Sequence, residues 1–169
     1  MTTYSRLLTP VGELVLTASE AALTHVYFPT SRRGSAPTHH AEWVESDGKG
    51  PAGEILTRTA QQLTDYFAGR RTTFDVPLEA LGSPFEHRVW NALRAIPYGT
   101  TTTYGELARR LGDAKATRAV GSANGANPIP IIIPCHRVVG AKGELTGFGG
   151  GLDRKRWLLE HEGVLMQLA

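Results

Sequence analysis

Apolar and polar residues alternate in short runs along the first half of the chain, and this pattern predicts a small sheet. Turn-forming residues separate these runs, whose apolar positions are Leu14, Leu16, Leu23, Val26 and Phe28. The segment from Pro29 to Gly53 is rich in Pro, Gly, Ser, His and charged residues. Such a composition is typical of a long loop, so we expect no regular element there.

A helix and one more strand are predicted after this loop. The apolar residues that share one helical face are Leu56, Ala60, Leu63 and Phe67. The helix is expected to end near Gly69, since glycine commonly follows the last helical turn. Alternation of apolar residues from Phe74 to Leu78 then predicts a strand.

Helical signals replace the alternation after about Gly82. Ser83, Pro84 and Glu86 combine an N-cap side chain, a proline at the first helical position and the glutamate of a capping box. A helix is therefore predicted to begin there. Its apolar face consists of Phe85, Val89, Leu93 and Ile96.

Two further helices follow at a short distance. The capping pattern recurs at Thr103–Glu106 and predicts a helix that ends near Gly112, and a third helix is predicted from roughly Lys115 to Gly125. Helix, short turn and helix is the arrangement of a helix-turn-helix DNA reader, although helical hairpins are also common packing units. Between Ala116 and Gly125 the third helix carries one long cation, Arg118, among mainly small residues that let its backbone approach another surface. That surface is a neighbouring helix or a sugar-phosphate backbone, and helix geometry alone favours the neighbouring helix.

Charge is distributed unevenly over the 169 residues, whose net charge is +2. Residues 1–81 hold seven Lys/Arg and nine Asp/Glu, whereas residues 82–169 hold eleven Lys/Arg and seven Asp/Glu. A basic half joined to a slightly acidic half favours contact of one lobe with a polyanion. We therefore divide the chain into a sheet-and-helix lobe, 1–81, and a second lobe, 82–169, which is the one expected to meet a polyanion.

Cys135 is the only cysteine, which excludes an internal disulfide and a cysteine-rich zinc site. A reducing, cytoplasmic setting is expected. No apolar run approaches the roughly 20 residues that a membrane span needs, so we expect no membrane contact.

The surroundings of Cys135 leave its role open. A free cysteine after a buried run such as Ile131–Ile133 is more often inert packing than a nucleophile. Reaction requires a thiolate, and His136 and Arg137 are near enough in sequence to favour one. Downstream, Gly147–Gly151 has exposed N–H groups that could line a pocket. The next helix starts with three cations that oppose its dipole and are expected to face phosphates or solvent, namely Arg154, Lys155 and Arg156.

The segment Ile133–Val138 resembles the active-site signature of the O6-alkylguanine-DNA alkyltransferases, the methylated-DNA–protein-cysteine methyltransferases. The resemblance covers about residues 83–163 and extends to Phe85–Trp90, Ile96–Gly99, Thr103-Tyr104, Arg118–Gly121, Asn127-Pro128 and Trp157–Gly163. It implies an α/β (α+β) fold with a small N-terminal ribonuclease-H-like sheet lobe and a mainly helical C-terminal lobe that contains a helix-turn-helix. One departure is Phe148, which stands where some members have tyrosine.

The resemblance implies DNA repair by a single-turnover methylated-DNA–protein-cysteine S-methyltransferase. Cys135 would accept an alkyl group from O6 of guanine, and also from O4 of thymine. Glu162 would orient His136, which takes the thiol proton through a bridging water molecule. Asn127 would fix the turn that carries the cysteine, and Tyr104 would give guanine N3 a proton or a strong hydrogen bond.

The same resemblance implies a pocket for the flipped base and a surface for the DNA. The pocket would use the carbonyls of Cys135 and Val138, the N–H of Gly149, the neighbouring Gly150, and walls formed by Pro130 and Phe148. Arg118 would fill the gap that the flipped base leaves. The residues expected to contact the minor groove are Tyr104, Ala116, Thr117, Ala119 and Gly121. We expect no cofactor and no metal, and a monomer that associates with the nucleoid on DNA, with cooperation between molecules left open.

Three rival readings remain. A cysteine hydrolase built from Cys135, His136 and either Asn127 or Glu162 would turn over repeatedly. A non-catalytic helix-turn-helix lesion sensor or regulator would bind DNA without transfer, but sensors that resemble this family replace the reactive cysteine. In the third reading, Cys135 is only a structural residue.

Overall fold

The computed structural model describes residues 2–29 and 42–164 and contains the predicted sheet. Three antiparallel strands, β1 (Thr3–Thr9), β2 (Gly12–Ala18) and β3 (Leu23–Tyr27), are joined by β4 (Val44–Glu45), which pairs with β1 in parallel. The strand order is β3-β2-β1-β4. Side chains alternate between the two faces of a sheet, and the predicted apolar positions of β2 and β3 are buried.

Helix α1 (Gly50–Phe67) packs on β1, β2 and β3. The predicted helix is confirmed, and Leu56 and Leu63 are buried as expected, but the buried face also includes Tyr66. The long-loop prediction was wrong at its end, because β4 and the first residues of α1 lie inside Pro29–Gly53. Pro51, which suits the first turn of a helix, was the signal for this start. Residues 30–41 lie outside the described part of the chain.

The predicted strand at Phe74–Leu78 was also wrong. This segment is extended, but it makes only an isolated bridge between Leu78 and Leu23. Two backbone hydrogen bonds flank it, from Leu23 N to the Pro77 carbonyl and from Glu79 N to the Leu23 carbonyl. Pro77 has no N–H to donate, so a longer ladder cannot form through it.

The chain divides into two compact units, Met1–Leu81 and Gly82–Ala169. The second unit consists of α2 (Pro84–Arg94), β5 (Thr102–Thr103), α3 (Tyr104–Arg110), α4 (Thr117–Gly125), β6 (Val138–Val139) and α5 (Leu152–His161). Short 3-10 turns lie at Ala114–Ala116 and Cys135–Arg137. The three predicted helices of this region are confirmed, and the third begins with the 3-10 turn before it becomes α4. Within the described residues, no helix has both the length and the apolar character needed to cross a bilayer.

The two predicted capping boxes form to different extents. At α2 the box is complete, since Ser83 Oγ accepts from the Glu86 N–H at 3.1 Å and Glu86 Oε1 accepts from the Ser83 N–H at 2.9 Å. At α3, Thr103 Oγ1 accepts from the Glu106 N–H at 3.1 Å, but the Glu106 carboxylate pairs with Arg109 at 2.6 Å. The nearby guanidinium therefore replaces the second half of the box.

Helix α4 has an inner and an outer face. Its inner residues Val120 and Ala123 are buried where α4 packs on α2 and α3, and the Ala123 carbonyl accepts a 2.8 Å hydrogen bond from the buried Trp90 indole N–H. The outer residues are Thr117, Arg118, Ala119 and Ser122, all exposed. The small residues of α4 thus divide between a packed face and a free face.

We predict that Gly82→Ala lowers the free energy of unfolding by about 1–3 kcal/mol. A Cβ atom at this position would overlap the Trp90 ring, which is buried and cannot move without breaking its bond to Ala123. Urea unfolding monitored by tryptophan fluorescence measures the change. Gly105→Ala is the matched control, because a Cβ atom there meets nothing within 4 Å and should not destabilise the protein. Equal stability of the Gly82→Ala protein and the wild type would contradict this account of the packing.

Candidate active site

Cys135 lies at the start of a 3-10 turn that follows the buried run Ile131–Ile133. The residue is buried, with 5% of its surface exposed. Burial raises the pKa of its thiol to about 11, despite the opposing effects of the Asn127 side chain and the Lys155 ammonium. At neutral pH only about one molecule in 10,000 would carry a thiolate, so reaction at this sulfur requires a base.

Asn127 holds the loop before the cysteine at two points. Its Nδ2 donates to the Ile133 carbonyl at 2.8 Å, and its Oδ1 accepts from the Ile129 N–H at 3.0 Å. The loop contains Ile131 with a φ of 73°, a conformation that costs a β-branched residue about 1–3 kcal/mol. The two hydrogen bonds of the Asn127 side chain, together with the burial of the isoleucines, offset that strain and fix the position of the turn.

A second asparagine, which sequence reasoning did not assign to the site, contacts the cysteine itself. Asn124 is buried on the inner face of α4, and its Nδ2 donates to the Cys135 carbonyl at 3.4 Å. The sequence offered only an asparagine inside a helix, three residues before Asn127. The contact links α4 directly to the turn that carries the thiol.

His136 and Glu162 form a buried pair, with 2.7 Å between His136 Nε2 and Glu162 Oε2. Burial lowers the pKa of His136, although hydrogen bonding to Glu162 opposes this effect, so the neutral ring is favoured. The carboxylate accepts at Nε2, so the ring proton lies there and Nδ1 keeps its lone pair. Nδ1 is buried without a hydrogen-bond partner among the described residues. This is the arrangement of a general base.

Arg137 completes the ion pair and had been assigned only a general electrostatic effect on the thiol. Its Nε and one terminal nitrogen donate to the two oxygens of Glu162 at 2.7 and 3.0 Å. The other terminal nitrogen donates to the Ile96 carbonyl at 2.7 Å. A two-point guanidinium contact holds the buried carboxylate oriented towards the imidazole. Side chains of adjacent residues usually point in different directions. The sequence therefore could not show that His136 and Arg137 both contact Glu162.

Tyr104 is brought to this region by a short parallel ladder in which Thr102 pairs with Val138 and Thr103 with Val139. The strand β5 leads directly into α3, so Tyr104 follows the residue opposite Val139. Its hydroxyl accepts a hydrogen bond from Thr146 Oγ1 at 3.0 Å. Burial raises the pKa of Tyr104, and the hydrogen bond from Thr146 lowers it. Negative charge on Cys135 also raises it.

The expectation that the cations at the start of α5 face phosphates or solvent was wrong for Lys155. Its side chain is fully buried, and Nζ donates to the Thr146 carbonyl at 2.8 Å and lies 5.9 Å from the Tyr104 ring centre. Burial lowers the pKa of Lys155 to about 8, and the Cys135 thiol opposes that shift. The helical period explains the difference, because only one of three consecutive residues can face the interior there. Arg156 is exposed, and Arg154 donates to the Gly150 carbonyl at 2.9 Å.

The residues expected to bind the base lie on the segments around the thiol. Pro130 and Val138 are buried, on the loop before and the strand after the cysteine. Phe148 is half-buried, Gly149 is exposed and Gly150 is buried, with a turn closed by the Gly151 N–H on the Phe148 carbonyl at 2.9 Å.

The residues expected to contact DNA lie on or beside the outer face of α4. Thr117, Arg118 and Ala119 are exposed, whereas Ala116 and Gly121 are half-buried. No acidic side chain belongs to α4, so Arg118 stands on a surface of small, uncharged residues. Within residues 2–29 and 42–164, no cluster of three His, Cys, Asp or Glu side chains could hold a metal ion.

Comparison with known proteins shows which family the chain resembles. Residues 2–80 match the family model for the ribonuclease-like domain of 6-O-methylguanine DNA methyltransferase, and residues 84–164 match the model for its DNA binding domain. Methylated-DNA–protein-cysteine methyltransferases of Methanosarcina acetivorans and Mycobacterium tuberculosis are 45% and 46% identical to this chain, over 95% and 94% of its length and 97% and 91% of theirs. A crystal structure of Mycobacterium tuberculosis OGT in complex with DNA has a TM-score of 0.83 at 45% identity, covering 95% of this chain and 92% of that one. The predicted fold class is therefore confirmed.

We predict that Lys155→Met raises the free energy of unfolding at pH 7 by about 1–3 kcal/mol. Lys155 has no carboxylate partner in the described part of the chain, and a buried ammonium in that situation destabilises the fold. The pKa of Lys155 is about 8 in the folded protein and ordinarily 10.5. Between these values the unfolded chain binds more protons, so the stability of the wild type rises with pH and the advantage of methionine shrinks. Urea unfolding at pH 7 and pH 10 measures both effects. The exposed Lys142→Met should change little at either pH, and an equal gain there would refute the assignment.

Proposed function

Because this chain belongs to the 6-O-methylguanine DNA methyltransferase family, we propose that Cys135 is the residue that takes the alkyl group from O6 of guanine in DNA. The protein repairs DNA by alkyl transfer to a protein cysteine. One observation carries the residue assignment: the chain has a single cysteine, and it lies beside a buried histidine whose Nδ1 has no hydrogen-bond partner among residues 2–29 and 42–164.

Transfer begins with removal of the thiol proton. His136 Nδ1 receives this proton through a bridging water molecule, and Glu162 stabilises the imidazolium through Nε2. The Cys135 sulfur forms a bond to the alkyl carbon while the bond from that carbon to O6 breaks. The electron pair of the broken bond stays on the guanine.

The guanine leaves as a neutral base if it gains a proton. Tyr104 donates a proton, or a strong hydrogen bond, to N3 of the base. The thiol has then lost one proton and the base has gained one, and the charges on His136 and Tyr104 cancel. The thioether on Cys135 has no hydrolytic exit, so each molecule acts once.

Recognition of the base uses main-chain groups and apolar walls. The Cys135 and Val138 carbonyls accept from the exocyclic amino group, and the Gly149 N–H contacts O6. Pro130 and Phe148 flank the guanine ring, and Gly150 belongs to the glycine-rich loop next to them. Asn127 supports this pocket through the turn before the cysteine. O4-methylthymine is a second substrate that lacks the amino group.

Access to O6 requires that the nucleotide leave the stack. The outer face of α4 enters the minor groove, with Ala116, Thr117, Ala119 and Gly121 against the backbone and Tyr104 near the flipped nucleotide. Arg118 fills the vacated position. Minor-groove contact carries little sequence information, which suits a lesion that can occur at any guanine. The protein acts as a monomer at the nucleoid, and cooperation along DNA would show as sigmoidal binding.

Two rival functions are separated by stoichiometry. A cysteine hydrolase would turn over repeatedly, because its acyl-enzyme is cleaved by water. A lesion sensor would bind alkylated DNA and leave it unchanged. The family and the presence of Cys135 favour transfer over both.

We predict one methyl adduct per protein molecule, on Cys135, after incubation with an oligonucleotide that contains O6-methylguanine. Intact-protein and peptide mass spectrometry measure the adduct, and nucleoside analysis shows restored guanine. Cys135→Ser should bind the same DNA. Any methylation of this variant should be much slower than that of the wild-type protein. Restoration of more guanine than the protein present would support a hydrolase and sink the proposal.

We predict that Arg118→Ala slows repair in duplex DNA strongly and leaves reaction with free O6-benzylguanine nearly unchanged. Base flipping costs a few kcal/mol, which an inserted guanidinium partly offsets, whereas the free base needs no flipping. Single-turnover rates on both substrates measure the difference.

Arg118→Lys distinguishes insertion from simple phosphate contact. If the guanidinium stacks in the vacated site, lysine should restore only part of the duplex rate. Full rescue by lysine, with a loss of about one counterion from the salt dependence of binding in Arg118→Ala, would indicate a phosphate contact. Equal losses on duplex and free base would contradict both roles.

A further inference from the structure

We propose that Thr146 is a positioning residue for alkyl transfer, which directs the Tyr104 proton towards the base and stabilises the oxygen that this proton leaves. The inference rests on the proposed role of Tyr104 as the group that donates to guanine N3. Thr146 was not among the residues predicted to form the site. Its hydroxyl nevertheless makes a contact with the phenol that the relay of Cys135, His136 and Glu162 does not provide.

The direction of the contact is the first argument. Thr146 Oγ1 donates to the Tyr104 oxygen at 3.0 Å and so occupies one of its two lone pairs. The phenolic hydrogen therefore points away from Thr146. It remains available to an acceptor in the pocket, which is what donation to N3 requires.

The strength of the contact changes during the reaction. As Tyr104 gives up its proton, charge develops on the phenolic oxygen, and a hydrogen bond to a charged acceptor is shorter and stronger than one to a neutral acceptor. Thr146 therefore stabilises the transition state, in which Tyr104 carries partial negative charge, more than the ground state. This difference is the condition for an effect on rate. In the resting protein the same bond lowers the pKa of Tyr104 against the effect of burial.

The support behind Thr146 is the second argument. Its main-chain carbonyl accepts from the fully buried Lys155 Nζ at 2.8 Å. This bond fixes the backbone of Thr146, and it places a cation 5.9 Å from the Tyr104 ring centre. Lys155 therefore holds the threonine in place.

The test is a double-mutant cycle between Thr146 and Tyr104, measured as single-turnover methyl transfer from duplex O6-methylguanine. Thr146→Val keeps the shape of the side chain and removes the hydroxyl, and we expect it to slow transfer about tenfold. In a Tyr104→Phe background the same substitution should cause no further slowing, because the oxygen that it serves is absent. Thr146→Ser should restore most of the rate, and the exposed Thr72→Val is the matched control.

A second readout does not depend on activity. In protein labelled with 13C at Tyr Cζ, Thr146→Val should raise the pKa of Tyr104, because the donor that stabilises the phenolate is lost, and Thr146→Ser should leave it near the wild-type value. Equal slowing by Thr146→Val with and without the Tyr104 hydroxyl, or an unshifted Tyr104 titration, would overturn the proposal in favour of a loop-packing role. A wild-type rate for Tyr104→Phe alone is a different result. It would remove the proposed role of Tyr104, and the role of Thr146 with it.

Discussion

The buried carboxylate of Glu162 is the constraint on which the second unit depends. A charge without water destabilises a fold unless it is fully paired, and here Arg137 donates to both oxygens while His136 contacts one of them. Arg137 also donates to the Ile96 carbonyl, so one cluster joins the end of α5, the cysteine turn and the segment after α2. The interactions that satisfy the charge also set the tautomer of His136. Stability and chemistry therefore share the same atoms.

The surroundings of Cys135 disfavour its thiolate form. Burial raises its pKa to about 11, which suppresses the thiolate and with it unwanted oxidation or alkylation. The groups that oppose this shift are the Asn127 side chain and the Lys155 ammonium, and both are tied to the loops that flank the pocket. Lys155 is itself costly to bury. The site thus carries a cation that has no carboxylate partner among the described residues and whose field acts on Cys135.

Helix α4 links its own exposed face to the turn that carries Cys135. Its outer face presents Arg118 among small uncharged residues, while its inner face contacts the Trp90 indole and, through Asn124, the Cys135 carbonyl. From the sequence, the small residues of this helix were expected to approach either a neighbouring helix or a sugar-phosphate backbone. In the structure some of these small residues are packed on the inner face and others are exposed on the outer face, because a 3.6-residue period turns neighbouring positions in different directions.

The sequence by itself determined the elements whose signals are local. Apolar periodicity and caps located α1, α2 and α3, and the segment around Cys135 was sufficient to identify the family that the comparisons confirm. It did not determine the shared partner of His136 and Arg137, the inward direction of Lys155 or the contact of Thr146 with Tyr104. These depend on pairs 9 to 42 residues apart that meet only when α5 packs on the cysteine turn and β5 pairs with β6. Local patterns record the period of a helix or strand, but the packing of distant segments decides which side chain is withdrawn from water and which charges it then faces.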